Sequence, residues 1–137
     1  MLRPDSLILV LQLSNRGRRS PGKSEELSLH YTMSALIYNV TVKINLLVRE
    51  EWLHWMQKEH IPEVMASACF RSYRLLHLEG FDDDEGTTYA IQYTCPSEEL
   101  FEIYQRDHAP ALQKKHLKMF EGKFVAFRTV LTLIAEG

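Results

Sequence analysis

Trp55-Met56-Gln57-Lys58-Glu59-His60-Ile61-Pro62-Glu63-Val64 and Ile103-Tyr104-Gln105-Arg106-Asp107-His108-Ala109-Pro110-Ala111-Leu112 spell one pattern twice. Each copy carries an aromatic residue, then an acid directly before a His-x-Pro triplet, then an aliphatic residue two places beyond the proline. A repeated pattern points to an internally duplicated fold, and the flanks of the two copies carry matching helices. Upstream of the first, Val48, Trp52, Trp55 and Met56 fall at i, i+4, i+7 and i+8, one apolar helical stripe. Asn45 can cap its start. Pro62 disfavours helical geometry at Ile61, so this helix is expected to end or kink near His60. A further turn restarts with Pro62 and runs to about Ala68. Upstream of the second copy, Ser97 is an N-cap for a helix carrying Leu100, Phe101, Tyr104 and Leu112. That helix is disturbed near Pro110 and stops by Gly122.

Outside the helices the period changes to two. From Leu36 to Ile44, Tyr38, Val40, Val42 and Ile44 alternate with Asn39, Thr41 and Lys43, a strand with one apolar face. Phe70 to Glu79 and Thr87 to Thr94 read as further strands, joined by the hairpin loop 80–86. Lys123 to Ile134 is a β-prone final strand. Phe70-Arg71-Ser72-Tyr73-Arg74 recurs loosely as Phe124-Val125-Ala126-Phe127-Arg128, so the duplication extends past the helices. The order strand, helix, strand, strand, helix, strand in two similar halves implies an α+β, ferredoxin-like βαββαβ domain. Its antiparallel sheet carries two helices on one face. The other face, expected to show Leu76, Leu78 or Val130 among polar groups, must be covered. A second copy packed sheet to sheet is the simplest cover, making a homodimeric α+β barrel.

Composition narrows the function classes. The chain has 137 residues, enough for one domain with a usable core. A net charge of -2 supplies no field to attract nucleic acid, and no apolar run approaches a membrane span. Two cysteines, Cys69 and Cys95, lack the spacing of a disulfide framework or a metal site and suit reduced thiols in a cytoplasmic protein. Residues 1–33 look unlike the rest: Leu7-Ile8-Leu9-Val10-Leu11 precedes a basic stretch from Arg16 to Lys23. Arginines follow the apolar run where a secretory signal would place a small-residue cleavage site. The preferred explanation is a natural start at Met33, with a poorly ordered tail second and a cleaved export signal third. The folded domain is then 34–137.

Together, Ile37-Tyr38-Asn39-Val40-Thr41-Val42, Glu51-Trp52-Leu53, Trp55-Met56, His60-Ile61-Pro62, His108-Ala109-Pro110-Ala111-Leu112 and Gly122 to Thr129 resemble the bacterial domain-of-unknown-function family numbered 4286. The resemblance covers about residues 35–134. It implies a ferredoxin-like fold akin to the dimeric α+β barrel group, which includes small monooxygenases, isomerases and haem-handling proteins, and modules with no known chemistry. It implies no particular catalytic residue.

The candidate chemistry falls in two places. His60 is the candidate proton carrier, because imidazole titrates near neutral pH. A competing structural role is open to both His60 and His108: a cation before a proline meets the exposed carbonyls of a helix end. His54, His77 and His116 are expected to be exposed or rim residues. The second place is the sheet face away from the helices. Asn39, Thr41 and Lys43 share it, and pseudo-symmetry puts Arg74 and Arg128 there too, with Gln92 flanked by Tyr89 and Tyr93. The candidate ligand-binding set is therefore Asn39, Arg74, Gln92, Tyr93, His108 and Arg128, suited to a small molecule. No metal-ligand spacing is present and no cofactor is expected. The acidic run Asp82-Asp83-Asp84-Glu85 reads as a solvated hairpin tip. Two functions fit these residues: a homodimeric small-molecule binder or cofactor-independent enzyme, and a non-catalytic assembly or regulatory module.

Overall fold

The computed structural model describes residues 35–137, so the expectations for residues 1–33 and a start at Met33 lie outside the described residues. Four strands, β1 (Leu36–Asn45), β2 (Ser72–His77), β3 (Gly86–Cys95) and β4 (Phe124–Thr132), form one sheet in the order β2-β3-β1-β4. Every neighbouring pair is antiparallel. Between β1 and β2 run α1 (Arg49–Trp55), a π-turn (Met56–His60) and α2 (Ile61–Ala66); between β3 and β4 run α3 (Glu98–Asp107) and α4 (Ala109–Met119). This is the expected βαββαβ arrangement.

The caps behave as their side chains dictate. Asn45 Oδ1 accepts from the Leu47 N–H at 2.8 Å, and Ser97 Oγ accepts from the Leu100 N–H at 3.2 Å. The first proline disturbs the helix near His60 as expected, and a further helical segment restarts at Ile61 with Pro62 in its first turn; only Ile61 departs from expectation. Ile61 keeps helical geometry (φ -60, ψ -44), and its N–H bonds the Met56 carbonyl five residues back. Widening one turn to i→i−5 leaves room for the Pro62 ring where an α-turn would clash, so the helix continues instead of breaking. The second proline follows the expected disturbance: His108 (φ -121, ψ -44) separates α3 from α4. The chain after α2 reverses through Ala68 at φ 61, a left-handed conformation that costs a residue with a Cβ about 1–2 kcal/mol. At the other end of β3, Gly86 lies so close to β1 that a Cβ would sit 2.5 Å from the Ile44 carbonyl oxygen.

Register decides the faces. Tyr38, Val42 and Ile44 of β1 and Ile91 and Tyr93 of β3 point under the helices and are almost fully buried with Trp52, Trp55, Met56, Ile61, Val64 and Phe101. Tyr38 pairs with Tyr93, which pairs with Tyr73, giving a row of three tyrosines across three strands. Val40 pairs with both Ile91 and Arg128. Arg128 therefore lies on the helix-covered face, against the expectation that it shares the open face with Arg74. Val130, opposite Tyr38, is under the helices for the same reason. The cause is a slipped repeat. Phe70 turns into the core before β2 begins at Ser72, so one extra residue separates it from the strand alternation that Phe124 and Arg128 obey. Since side chains alternate with period two, one residue of slip exchanges the faces.

The open face carries the row Arg74, Gln92, Asn39, Thr129, one residue from each strand. Arg74 Nη2 donates to Gln92 Oε1 at 2.9 Å, and Asn39 Nδ2 reaches Thr41 Oγ1 and Thr129 Oγ1 at 3.1 and 3.2 Å. Around this row Leu76, Val125, Phe127 and Leu131 are exposed. Cys69 and Cys95 are buried free thiols, and burial pushes the Cys95 thiol up to about 11. The hairpin tip is held by Asp83, which accepts from the Glu85 and Gly86 N–H groups and from Lys43.

Candidate functional site

The polar groups with the strongest physical peculiarity sit between helices and sheet. Met56 and His60 come from the π-turn, Val64 from α2, and Leu112, Gln113 and His116 from α4. The sheet supplies Tyr38, Val40 and Val42 from β1, Ile91 and Tyr93 from β3, and Arg128 from β4, with Tyr104 of α3 completing the wall. The space among them is about 20 Å³, room for roughly one water. Val40, Leu112, Gln113 and Arg128 are half-buried and mark its solvent side.

His116 was expected at the rim and is 3 % exposed. It stacks flat on Phe124, with ring centroids 4.1 Å apart, and its Nε2 accepts from Trp52 Nε1–H at 3.0 Å. An imidazole nitrogen that accepts carries no proton, so the neutral ring is protonated on Nδ1. Sequence spacing contained the signal: Leu112 and His116 are four apart on one helix, and Leu112 was already assigned to the apolar stripe. A histidine at such a position is read as polar by default, which is why its burial was missed.

His60 lies 5.3 Å from His116, centroid to centroid, and 4.9 Å from the Trp55 ring on which it stacks. Widening of the helix at the π-turn contributes to presenting His60 inward. Its Nδ1 is buried and has no hydrogen-bond partner among the described residues, and the same is true of Trp55 Nε1. Burial lowers His60 to about 4, with Glu63 opposing and Lys115 and Arg128 assisting. Burial lowers His116 to about 3, assisted by His60 and Arg128. Both imidazoles are therefore neutral near pH 7, able to accept or donate at nitrogen without adding charge. Tyr93 and Tyr104 are kept in the protonated phenol form, their ionisation pushed up first by burial.

The expected site residues thus separate into two groups. Tyr93, Arg128 and His60 line this cavity. Asn39, Arg74 and Gln92 form the row on the opposite face of the sheet. His108 joins neither; half-buried at the break between α3 and α4, it stacks against Tyr104 at 6.2 Å. His60 finds its partner in His116 instead of in His108, the other half of the repeated pattern. Among the described residues no group of three or more His, Cys, Asp or Glu side chains is placed to hold a metal ion.

Fold and site together define a ferredoxin-like α+β domain with a small polar cavity under its helices. The chain belongs to the family described as Domain of unknown function (DUF4286), whose model matches residues 35–134. Its fold is similar to a dimeric ferredoxin-like protein from an uncultured marine organism, at 10% identity and TM-score 0.55, covering 76% of this chain and 99% of that one. It is also similar to SnoaB, a cofactor-independent oxygenase from Streptomyces nogalater, at 12% identity and TM-score 0.54, covering 74% and 96%. An ethyl tert-butyl ether d family protein from Bacillus halodurans is similar at 14% identity and TM-score 0.52, covering 74% and 99%. At such identities the likeness shows the fold alone. No curated protein matches the chain. No helix among the described residues is long and apolar enough to cross a membrane.

Proposed function

We propose that the protein is a small-molecule-binding protein or cofactor-independent enzyme of the cytoplasm, with its site in the cavity between helices and sheet. One observation carries this reading: His60, whose buried Nδ1 has no partner among the described residues, lines a cavity beside a second neutral histidine and an arginine. Buried polar groups are nearly always hydrogen-bonded, and an orphaned one in a cavity is what a ligand's donor or acceptor would satisfy. His60, neutral near pH 7, is the group that would offer a ring nitrogen to a bound compound as hydrogen-bond donor or acceptor. The likeness to a cofactor-independent oxygenase agrees with this reading at the level of fold. The test is native mass spectrometry and thermal shift of the purified protein against haem, quinones, small acids and cell extract. A retained or stabilising compound is expected, and His60→Gln should fold normally while losing that stabilisation. Stabilisation of the His60→Gln protein equal to wild type removes His60 from the site.

A second reading concerns the open face, and it is compatible with the first. Phe127 and Val125 are 54% and 70% exposed there, beside exposed Leu131 and Leu76. An apolar patch of this kind on a sheet marks an interaction surface. The dimeric ferredoxin-like neighbour supports a second copy as its cover. On this reading the Arg74, Gln92 and Asn39 row knits the interface. Sedimentation should show a wild-type dimer at micromolar concentration and a monomer for Phe127→Glu, because a buried unpaired carboxylate is strongly disfavoured. A monomeric wild type would exclude the interface.

A further inference from the structure

We propose that the ligand of the inner cavity is a small monocarboxylate, with its acid group on Arg128 and its apolar body along Val40 and Ile91. The inference rests on the reading that this cavity binds a small molecule, and adds the chemical class. Arg128 is half-buried, lines the cavity and makes no ion pair or side-chain hydrogen bond with a described residue. A half-buried guanidinium without a protein anion is open to one from solution, and its planar fork matches a carboxylate by two parallel hydrogen bonds. It shares the cavity wall with the two histidines and Tyr104, and its positive charge favours the deprotonated form of each.

Charge and hydrogen-bond chemistry then select among anions. The titratable groups facing Arg128 are His60 from the π-turn, His116 from α4 and Tyr104 from α3, all uncharged near pH 7. Of the nearby charges, Lys115 is already held by Glu63 at 2.6 Å, so that pair cancels at the rim. Among the described residues Arg128 is the one cation lining the cavity, which suits one negative charge and leaves a second uncompensated. The Tyr104 hydroxyl is a donor because burial keeps it protonated. A bound cation would face Arg128 directly and is disfavoured by the same Coulomb term. The apolar side is set by register: Val40 and Ile91 are successive neighbours of Arg128 in one row across the sheet. Since the space is about 20 Å³, the body that fits beside Val40 is no longer than one or two carbons.

The protein's two tryptophans, Trp52 and Trp55, both contact His116 and give an intrinsic reporter. Fluorescence titrations at constant ionic strength would compare acetate and propionate with acetamide, propionamide and ethylamine. The expected result is saturable binding of a carboxylate at least about tenfold tighter than its amide, with no binding of the amine. Arg128→Gln should abolish the carboxylate preference; Arg128→Lys should reduce it without removing it, since charge remains but the fork is gone. Circular dichroism checks that each variant folds; if Arg128→Gln does not, Arg128→Lys carries the test, and an unchanged ratio there overturns the proposal. Equal affinity for acid and amide, or a preference that survives Arg128→Gln, also overturns it. If neutral compounds stabilise the wild type through His60 while no carboxylate binds, the cavity is still a binding site and only the monocarboxylate assignment falls.

Discussion

Trp52→Ala is expected to lower the unfolding free energy by about 3–5 kcal/mol, the cost of emptying a fully buried aromatic site. Trp52 is 0% exposed and is the largest of the fully buried side chains. Its ring tilts on Tyr89 at 5.4 Å, and its N–H is the donor that holds His116 Nε2. Removing it therefore opens a cavity and strands a buried acceptor together. Small domains have about 5–15 kcal/mol in all, so the variant should sit near its unfolding threshold at room temperature. Trp52→Phe separates the two contributions. It keeps most of the apolar body but loses the donor, and is expected to cost about 1–3 kcal/mol. Urea denaturation of the three proteins measures both. A Trp52→Phe loss as large as that of Trp52→Ala would mean that the hydrogen bond, and not the packing, dominates.

Acid should destabilise the protein before its carboxylates are protonated. His60 and His116 have an ordinary value of 6.5 and folded-state values of about 4 and about 3. Between those values the unfolded chain binds protons that the folded one refuses, so stability rises with pH. The stabilisation relative to acid is fully present above pH 6.5 and is lost as pH falls toward 4 and then 3. One pKa unit corresponds to about 1.36 kcal/mol, so the loss is on the order of 3 kcal/mol for His60 and somewhat more for His116. The two are in contact, so the losses share a common term and need not add. Denaturation midpoints at pH 7.5, 6, 5 and 4 should fall steeply for wild type. A His60→Gln, His116→Gln double variant should show a much flatter profile, whatever its stability at pH 7.5. An equally steep profile in the double variant would assign acid sensitivity to other groups. His77 runs the other way: its bonds to Asp82 raise it, but it is exposed and contributes little.

Several features of the domain were legible in the residues. The doubled His-x-Pro pattern and the two β-flanked helices were enough for βαββαβ, because local periodicity and caps are written in consecutive side chains. Asn45 and Ser97 cap where their chemistry predicts. The alternation in β1 gave the right face for Tyr38, Val42 and Ile44 because its other face is polar. β4 offered no such contrast: Val125, Phe127 and Leu131 are apolar and so are Phe124, Ala126 and Val130. With both faces apolar, a pattern cannot say which one lies under the helices. The face of Arg128 depends on hydrogen-bond register with β1, a relation between residues about 90 positions apart.

The doubled pattern also marks where sequence reasoning reached its limit as a guide to chemistry. Its two histidines look equivalent in one dimension. In three, Pro62 is absorbed by a π-turn that leaves His60 buried inward, whereas Pro110 follows a true break that leaves His108 at the helix junction. The partner that His60 does acquire, His116, belongs to no motif. Element order, duplication and the helix caps at Asn45 and Ser97 were legible in the sequence because they follow from interactions between near neighbours in the chain. Which histidines meet, which face Arg128 takes and where the cavity lies were not legible there. Those depend on strand register and helix packing, which bring together side chains from π-turn, helix and edge strand that no local pattern connects.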